Sequence, residues 1–399
     1  MAIRDIQGTR VRRSAKALSA VAALALGVAA CGSSTPSTSA PSGTSAPSGT
    51  SAPSGTSASG TSAAGTTGSH FLACEVTDTG GINDRSFNAS AYQGLKIAAA
   101  AIPGLTYRFL QSNSTSDYTP NINTFLAEHC GIIITVGYDM GPATAAAAKA
   151  HPSQKFAIVD FSYSPNIPNV LGLTYQTNQD AFMGGYLAAA MSKSGVVGTF
   201  GGQNIPPVTI YMDGWVAGVR YYNQQNHTHV RVLGWTPTPG RAKGSLAGTG
   251  LFTNDFTNQA LGKTDAQTEL AQGADVIFPV AGAVGLGAAA AVKQAGGSNY
   301  MEWVDVDGCI SSPNYCPLFI TSVTKGIATS VSQAVEAAAK GTFKGGVYVG
   351  TLANGGVALA PFHDFQSKIP AKVQTALQTI KAGIESGKIS VDPNSYPAS

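Results

Sequence analysis

From residue 71 onward the chain alternates between two hydrophobic rhythms. Short runs rich in Val, Ile and Phe, apolar at nearly every position, fall at 71–76, 107–110, 132–136, 156–159, 196–200, 229–233, 276–280, 301–304 and 319–322. Between them lie longer Ala-rich stretches at 89–101, 119–129, 143–150, 181–192, 260–272, 285–294 and 328–339. A continuously apolar strand is buried on both faces, and strand–helix alternation implies crossover connections, so the pattern predicts parallel sheets covered by helices. It occurs twice, before and after residue 175 or so. The expectation is an α/β body over 70–399 with two doubly wound lobes, one of 70–175 plus a returning segment, the other of 176–322 plus parts of the C-terminal region.

The first 69 residues follow neither rhythm. A basic segment precedes an apolar stretch at 18–30, the layout of a secretory signal peptide, and thirteen residues fall short of a stable span across a ~30 Å hydrocarbon core. The stretch ends Val28-Ala29-Ala30-Cys31, which resembles the lipobox of bacterial lipoproteins and marks Cys31 as the lipidated residue. Residues 32–69 carry no charge and repeat SAPSGT at Ser39, Ser45 and Ser51. With nothing to bury, such a segment cannot offset its ordering entropy, and it predicts a flexible tether of about 35 Å r.m.s. reach. The expected location is the extracytoplasmic face of the cell membrane, with the lipid as anchor.

Charge changes the picture once it is divided along the chain. The sequence has 24 basic and 21 acidic residues, a net +3. Residues 1–31 hold Arg4, Arg10, Arg12, Arg13 and Lys16 against Asp5, so the remaining body has 19 basic and 20 acidic groups. The slight basicity belongs to the leader. Nucleic-acid binding through a basic surface therefore loses its support.

In open α/β sheets ligands sit beyond the carboxyl ends of the strands. The residues there are Thr77-Asp78, Gly137-Tyr138-Asp139, Asp160-Phe161, Gly201-Gly202, Ala281-Gly282 and Asp305. Carboxylates delivered repeatedly to one edge fit a polyhydroxy ligand; each can equally cap the helix that follows. The six histidines form no metal-ligand or nucleophile pattern, and no P-loop or Gly-x-Ser-x-Gly elbow is present, so neither a metal nor a cofactor is expected. One motif competes. Gly285-Leu286-Gly287 opens an Ala-rich helix after the 276–280 strand, with Asp305 about 20 residues on, as an exported dinucleotide-dependent enzyme would require. Four residues separate that strand from its first glycine, where such a turn is normally tight. Beyond Cys31 four cysteines remain, and an even number in an oxidising compartment predicts bridges. Cys309 and Cys316 would close a short loop, while Cys74 and Cys130 either pair as neighbours in the sheet or stay free and buried.

The stretch VTDTGGINDRSFN over residues 76–88 resembles the opening signature of the basic membrane protein family, lipoprotein substrate-binding components of ABC importers. The resemblance continues through ITVGYDM at 134–140, KFAIVD at 155–160, FMGGYLA at 182–188, VGTFGG at 197–202, ADVIF at 274–278, VDVD at 304–307 and TSVTK at 321–325. It implies a type I periplasmic-binding-protein fold closing on a nucleoside, a purine nucleoside foremost, which an ABC permease and its ATPase then import without catalysis. It further implies an aromatic ring from each lobe sandwiching the base. On that footing Asp78, Phe87, Asn88 and Asp160 are the first-lobe binding residues, Asp305 and Lys325 those of the second, with Gly282 at the same edge. The second ring is Tyr211 or Trp215. Two features depart from the family: Gly308 and the loop 309–316 replace the usual Asp-Gln pair, and the stretch 236–253 is longer and richer in Pro and Gly. A surface signalling or adhesion lipoprotein on the same scaffold is the remaining alternative.

Overall fold

The computed structural model describes residues 70–238 and 248–398, so the leader, Cys31 and the tether lie outside the described residues. In chain order the first part runs β1 (Leu72–Val76), α1 (Phe87–Ala101), β2 (Thr106–Leu110), α2 (Tyr118–Ala127), β3 (Ile132–Val136), α3 (Gly141–Ala150), β4 (Phe156–Val159) and β5 (Val170–Tyr175). The second part runs α4 (Thr177–Met191), β6 (Val196–Gly201), α5 (Pro206–Asn226), β7 (Arg231–Leu233), β8 (Trp235–Pro237), β9 (Gly248–Gly250), α6 (Gln259–Ala271), β10 (Val276–Val280), α7 (Gly285–Ala295), β11 (Tyr300–Asp305), α8 (Gly308–Ser311) and β12 (Phe319–Lys325). The chain ends with α9 (Ile327–Ala339), β13 (Gly346–Gly350), β14 (Val357–Leu359) and α10 (Ala371–Glu385).

These strands form two six-stranded sheets, ordered β13-β5-β4-β3-β1-β2 and β14-β12-β11-β10-β6-β7, with β8 and β9 as a separate pair. Every pairing in the first sheet is parallel, and in the second only β14 runs antiparallel. Every residue of the central strands β3, β4, β6 and β10 is buried, as strands covered on both faces must be. The chain passes from the first sheet to the second after Tyr175, returns after Lys325 and crosses again between Gly350 and Val357. Each crossing starts at the carboxyl end of a strand. The junction between lobes therefore lies at the edge where α/β sheets bind ligands.

Several elements go beyond the sequence expectation, the short α8, β8, β9 and β14 among them. Helices α5 and α10 and strands β5 and β13 were not evident from the pattern. Helix α5 is buried over Tyr211–Val219 without interruption, so no 3.6-residue polar stripe marks it. Both cysteine pairs are bridged: Cys74 on β1 to Cys130 just ahead of the neighbouring β3, and Cys309 to Cys316. Among the described residues no helix is long and apolar enough to cross a membrane.

Helices α4 and α5 pack backbone against backbone. A Cβ on Gly185 would press into the carbonyl of Trp215, and one on Gly218 into the carbonyl of Phe182. Gly185→Ala or Gly218→Ala should each destabilise the body by about 1–3 kcal/mol. Urea denaturation checks this as a lower midpoint with an unchanged m-value; an unchanged midpoint would mean the helices part freely.

Candidate functional site

Asp160 follows β4 and Asp305 ends β11, the equivalent strands of the two sheets, and both carry left-handed φ angles of +65° and +66°. Aspartate tolerates that region better than most residues, and the turn it makes ends each strand at the cavity between the lobes. Lys325, the last residue of β12, reaches both. Its ammonium lies 2.7 Å from Asp160 Oδ2 and 3.5 Å from Asp305 Oδ1, with the lysine side chain only 3% exposed. Burial by itself would push the ammonium down, but the two carboxylates outweigh it and hold the lysine above its usual value. The rings of Phe87, Tyr211 and Tyr175 stand 5.0, 5.1 and 5.7 Å from the same nitrogen, offering cation–π contacts.

The first-lobe wall is built by the turn between β1 and α1. Asp84 accepts the backbone N–H groups of Ser86, Asn88 and Ala89, satisfying the open donors at the start of α1. That places Phe87 and Asn88 at the cavity. Asn88 Nδ2 donates to Asp78 Oδ1 at 2.8 Å and to Asp84 Oδ2 at 3.1 Å. Both its donor hydrogens are thus used, and its buried Oδ1 has no partner within the protein. An open acceptor faces incoming N–H or O–H groups. Burial pushes Asp78 up to about 7 and Asp84 up to about 6. Gly137, at φ +122°, leaves Asp78 room: a Cβ there would come 2.7 Å from Asp78 Oδ2.

On the second lobe Tyr211 lines the cavity and its hydroxyl donates to Asp305 Oδ1 at 3.1 Å. Gly282, at φ +53°, lines it as well. Trp215 does not. One turn further along α5, it is fully buried against Phe278, and its Nε1 donates to Glu302 Oε2 at 2.8 Å, which turns the indole into the core. The alternative of Trp215 as the second ring is therefore corrected: it is not in the cavity. The aromatic that sequence reasoning missed is Phe256. It lines the cavity beside Gly202, where a Cβ would press into its ring. Asp255 shapes that turn by accepting the N–H groups of Thr257 and Asn258. A lone phenylalanine in the polar run Thr253-Asn254-Asp255-Phe256-Thr257-Asn258 was the available signal.

The competing Gly285-Leu286-Gly287 motif has a packing role. A Cβ on Gly287 would press into the Gln259 carbonyl, so α7 lies tight on α6, and Gly285 sits against the Trp303 ring. A 3₁₀ turn at Gly282–Val284 also separates β10 from the helix, where a dinucleotide site needs a direct strand-to-helix turn.

A family profile described as "ABC transporter substrate-binding protein PnrA-like" matches residues 71–244 and 251–390. The chain is 31% identical over 347 residues to the "ABC transporter nucleoside-binding protein BmpA" of Lactococcus lactis subsp. cremoris, covering 82% of this chain and 92% of that one. It is 27% identical over 318 residues to "Basic membrane protein A" of Borreliella afzelii, covering 79% and 90%. Among solved structures, a solute-binding protein of an ABC transporter system from Aeropyrum pernix K1 superposes with a TM-score of 0.71 at 24% identity, over 80% of this chain and 92% of that one. That likeness establishes the fold, the two-lobed arrangement of type I periplasmic binding proteins.

Raised carboxyl values make stability depend on pH in a fixed direction. A carboxyl whose folded pKa exceeds its unfolded one binds more protons when folded, so the stability it contributes is lost as pH rises from the unfolded value through the folded one. Asp84 at about 6, Asp78 at about 7 and Glu302 at about 8, each raised mainly by burial, place that loss between pH 5 and 8. Thermal melting should therefore give a lower Tm at pH 8 than at pH 5, with a shallower slope in Glu302→Gln. A Tm that rises over this window would contradict the assignment.

Proposed function

The chain belongs to the PnrA-like family of ABC transporter substrate-binding proteins, and from that premise we propose that it captures a purine nucleoside at the cell surface for import. It binds rather than transforms its substrate. The observation that carries the nucleoside reading is the pairing of Phe87 and Phe256 on the walls of one cavity that also holds Asn88, Asp78 and the Asp160–Lys325–Asp305 set. A base between two rings gains ~1–3 kcal/mol from stacking. The Asn88 Oδ1 acceptor and an Asp78 carboxyl that titrates near neutrality take the polar edge of the base, the carboxyl either donating or accepting. Ribose hydroxyls donate charge-assisted bonds to Asp160 and Asp305. A ligand without the sugar forgoes these bonds and is held correspondingly more weakly. The name of the Lactococcus relative supports the same class of ligand.

The remaining parts of the proposal follow the leader and the tether. Cys31 carries the lipid, residues 32–69 act as the leash, and the body delivers its ligand to an ABC permease driven by its ATPase on the extracytoplasmic face. With Phe256 as the second ring in this reading, Tyr211 serves to orient Asp305.

Calorimetric titration of protein lacking residues 1–69 should show binding of guanosine, inosine or adenosine, with Phe87→Ala and Phe256→Ala each weakening it by about tenfold or more. Absence of heat with every nucleoside would sink the ligand assignment. Separately, Cys31→Ala in the full chain should move the protein from the membrane fraction to the soluble one; unchanged membrane association would remove the lipid anchor from the account.

A further inference from the structure

Four residues beyond Asp305 the chain enters a loop closed by the Cys309–Cys316 bridge. Its base is fixed from several sides. Asp307 Oδ1 accepts the Cys309 N–H at 2.9 Å and Asp307 Oδ2 lies 2.7 Å from His363 Nε2. The Gly308 N–H donates to Ser322 Oγ at 2.9 Å, and a Cβ at Gly308 would come 2.7 Å from both Phe319 and Trp303. Asp307, Cys309 and His363 gather their ligand-type atoms within 4.8 Å of one another. In the bridged state the Cys309 sulfur is already bonded, so this grouping acts as a brace for the loop.

The loop meets the other lobe at Ser311, the last residue of α8. Arg85, exposed and at φ +56°, donates from Nη1 to the Ser311 carbonyl at 3.3 Å. The next residue, Ser86, donates to Asp305 Oδ2 at 2.8 Å and to the Val304 carbonyl at 3.1 Å. Residues 85 and 86 immediately precede Phe87, which lines the cavity, so the segment leading into its wall is tied to the second lobe at two points. We infer that Arg85 and the disulfide-closed loop 309–316 form a latch that holds the lobes together over the bound ligand and sets how fast it leaves.

The physical case rests on preorganisation. A single surface hydrogen bond to a mobile loop is cancelled largely by the entropy of ordering both partners. Here the bridge and the Asp307 brace order the acceptor before the lobes meet, so more of the contact's strength remains for closure. A contact made only when the lobes are together stabilises the closed state and slows opening, while the open state meets ligand as before. The effect therefore belongs in the dissociation rate.

The latch rests on the reading that this cavity is the ligand site, and the test separates the two. Stopped-flow binding of guanosine to the full chain should show Arg85→Ala raising the dissociation rate about fivefold, with the association rate rising only as far as the added open fraction allows. Replacing both Cys309 and Cys316 by Ser should do the same, the combined variant should add little to either, and Arg85→Lys should recover part of the loss. Equal melting temperatures for Arg85→Ala, Arg85→Lys and the native chain exclude a general loss of folding as the cause of the arginine effect; the bridge variant is expected to melt lower and cannot do this by itself. In parallel, small-angle scattering without ligand should give a larger radius of gyration for Arg85→Ala and for the Cys309/Cys316 variant than for the native chain. Opening in scattering with no guanosine binding to the native chain would keep the latch and overturn the nucleoside reading. Unchanged scattering with unchanged dissociation, or effects of the arginine and the bridge that multiply independently, would overturn the latch.

Discussion

The structure depends on one buried cation. Lys325 ends the strand from which the chain crosses back to the first lobe, and its ammonium is out of water between Asp160 of one lobe and Asp305 of the other. A buried charge is tolerated only when paired, and removing one partner leaves the others uncompensated at a cost of about 3–5 kcal/mol. This ties together three strand ends, two lobes and a crossing segment. It also puts these three groups on the wall of the cavity between the lobes, so a molecule entering there and rearranging these bonds acts directly on how the lobes meet.

Around that pair the body uses its charge sparingly. The sequence counts 20 acids in the body, yet several are buried where ionisation is disfavoured: Glu75 on β1, Asp180 on α4, Glu269 on α6 and Glu302 on β11 are all raised by burial first. The ion pair across the lobes, by contrast, gives Asp160 and Asp305 a buried cationic partner. Asp180 matters most among the four, because its electrostatic neighbours are Lys325 and Asp305.

The α/β architecture was legible because its strands are buried on both faces and read as uninterrupted apolar runs, while Ala-rich helices separate them. The strand-end rule then led directly to Asp78, Asp160 and Asp305. What stayed hidden has physical reasons. Helix α5 is surrounded, so its pattern resembles neither an amphipathic helix nor a strand. Strand β5 begins after Pro168-Asn169 and contains Gly172, which reads as a turn. Strand β13 joins the first sheet after a long excursion, a tertiary fact that no local pattern carries. Tyr211 and Trp215 sit one turn apart on α5, and only packing decides that one meets Asp305 while the other meets Glu302. Phe256 reaches the cavity through a loop whose path is set by Gly202 and Asp255, so its place on the cavity wall appeared only with the fold.

The central claim is that the two lobes close on a base held between Phe87 and Phe256, with its sugar at the Asp160–Lys325–Asp305 junction. A crystal structure of the protein with guanosine tests it most directly. The account predicts the purine between these two rings and the ribose hydroxyls within hydrogen-bond distance of Asp160 or Asp305. Guanosine bound elsewhere, or a cavity in which Phe256 stays clear of the ligand, would contradict it.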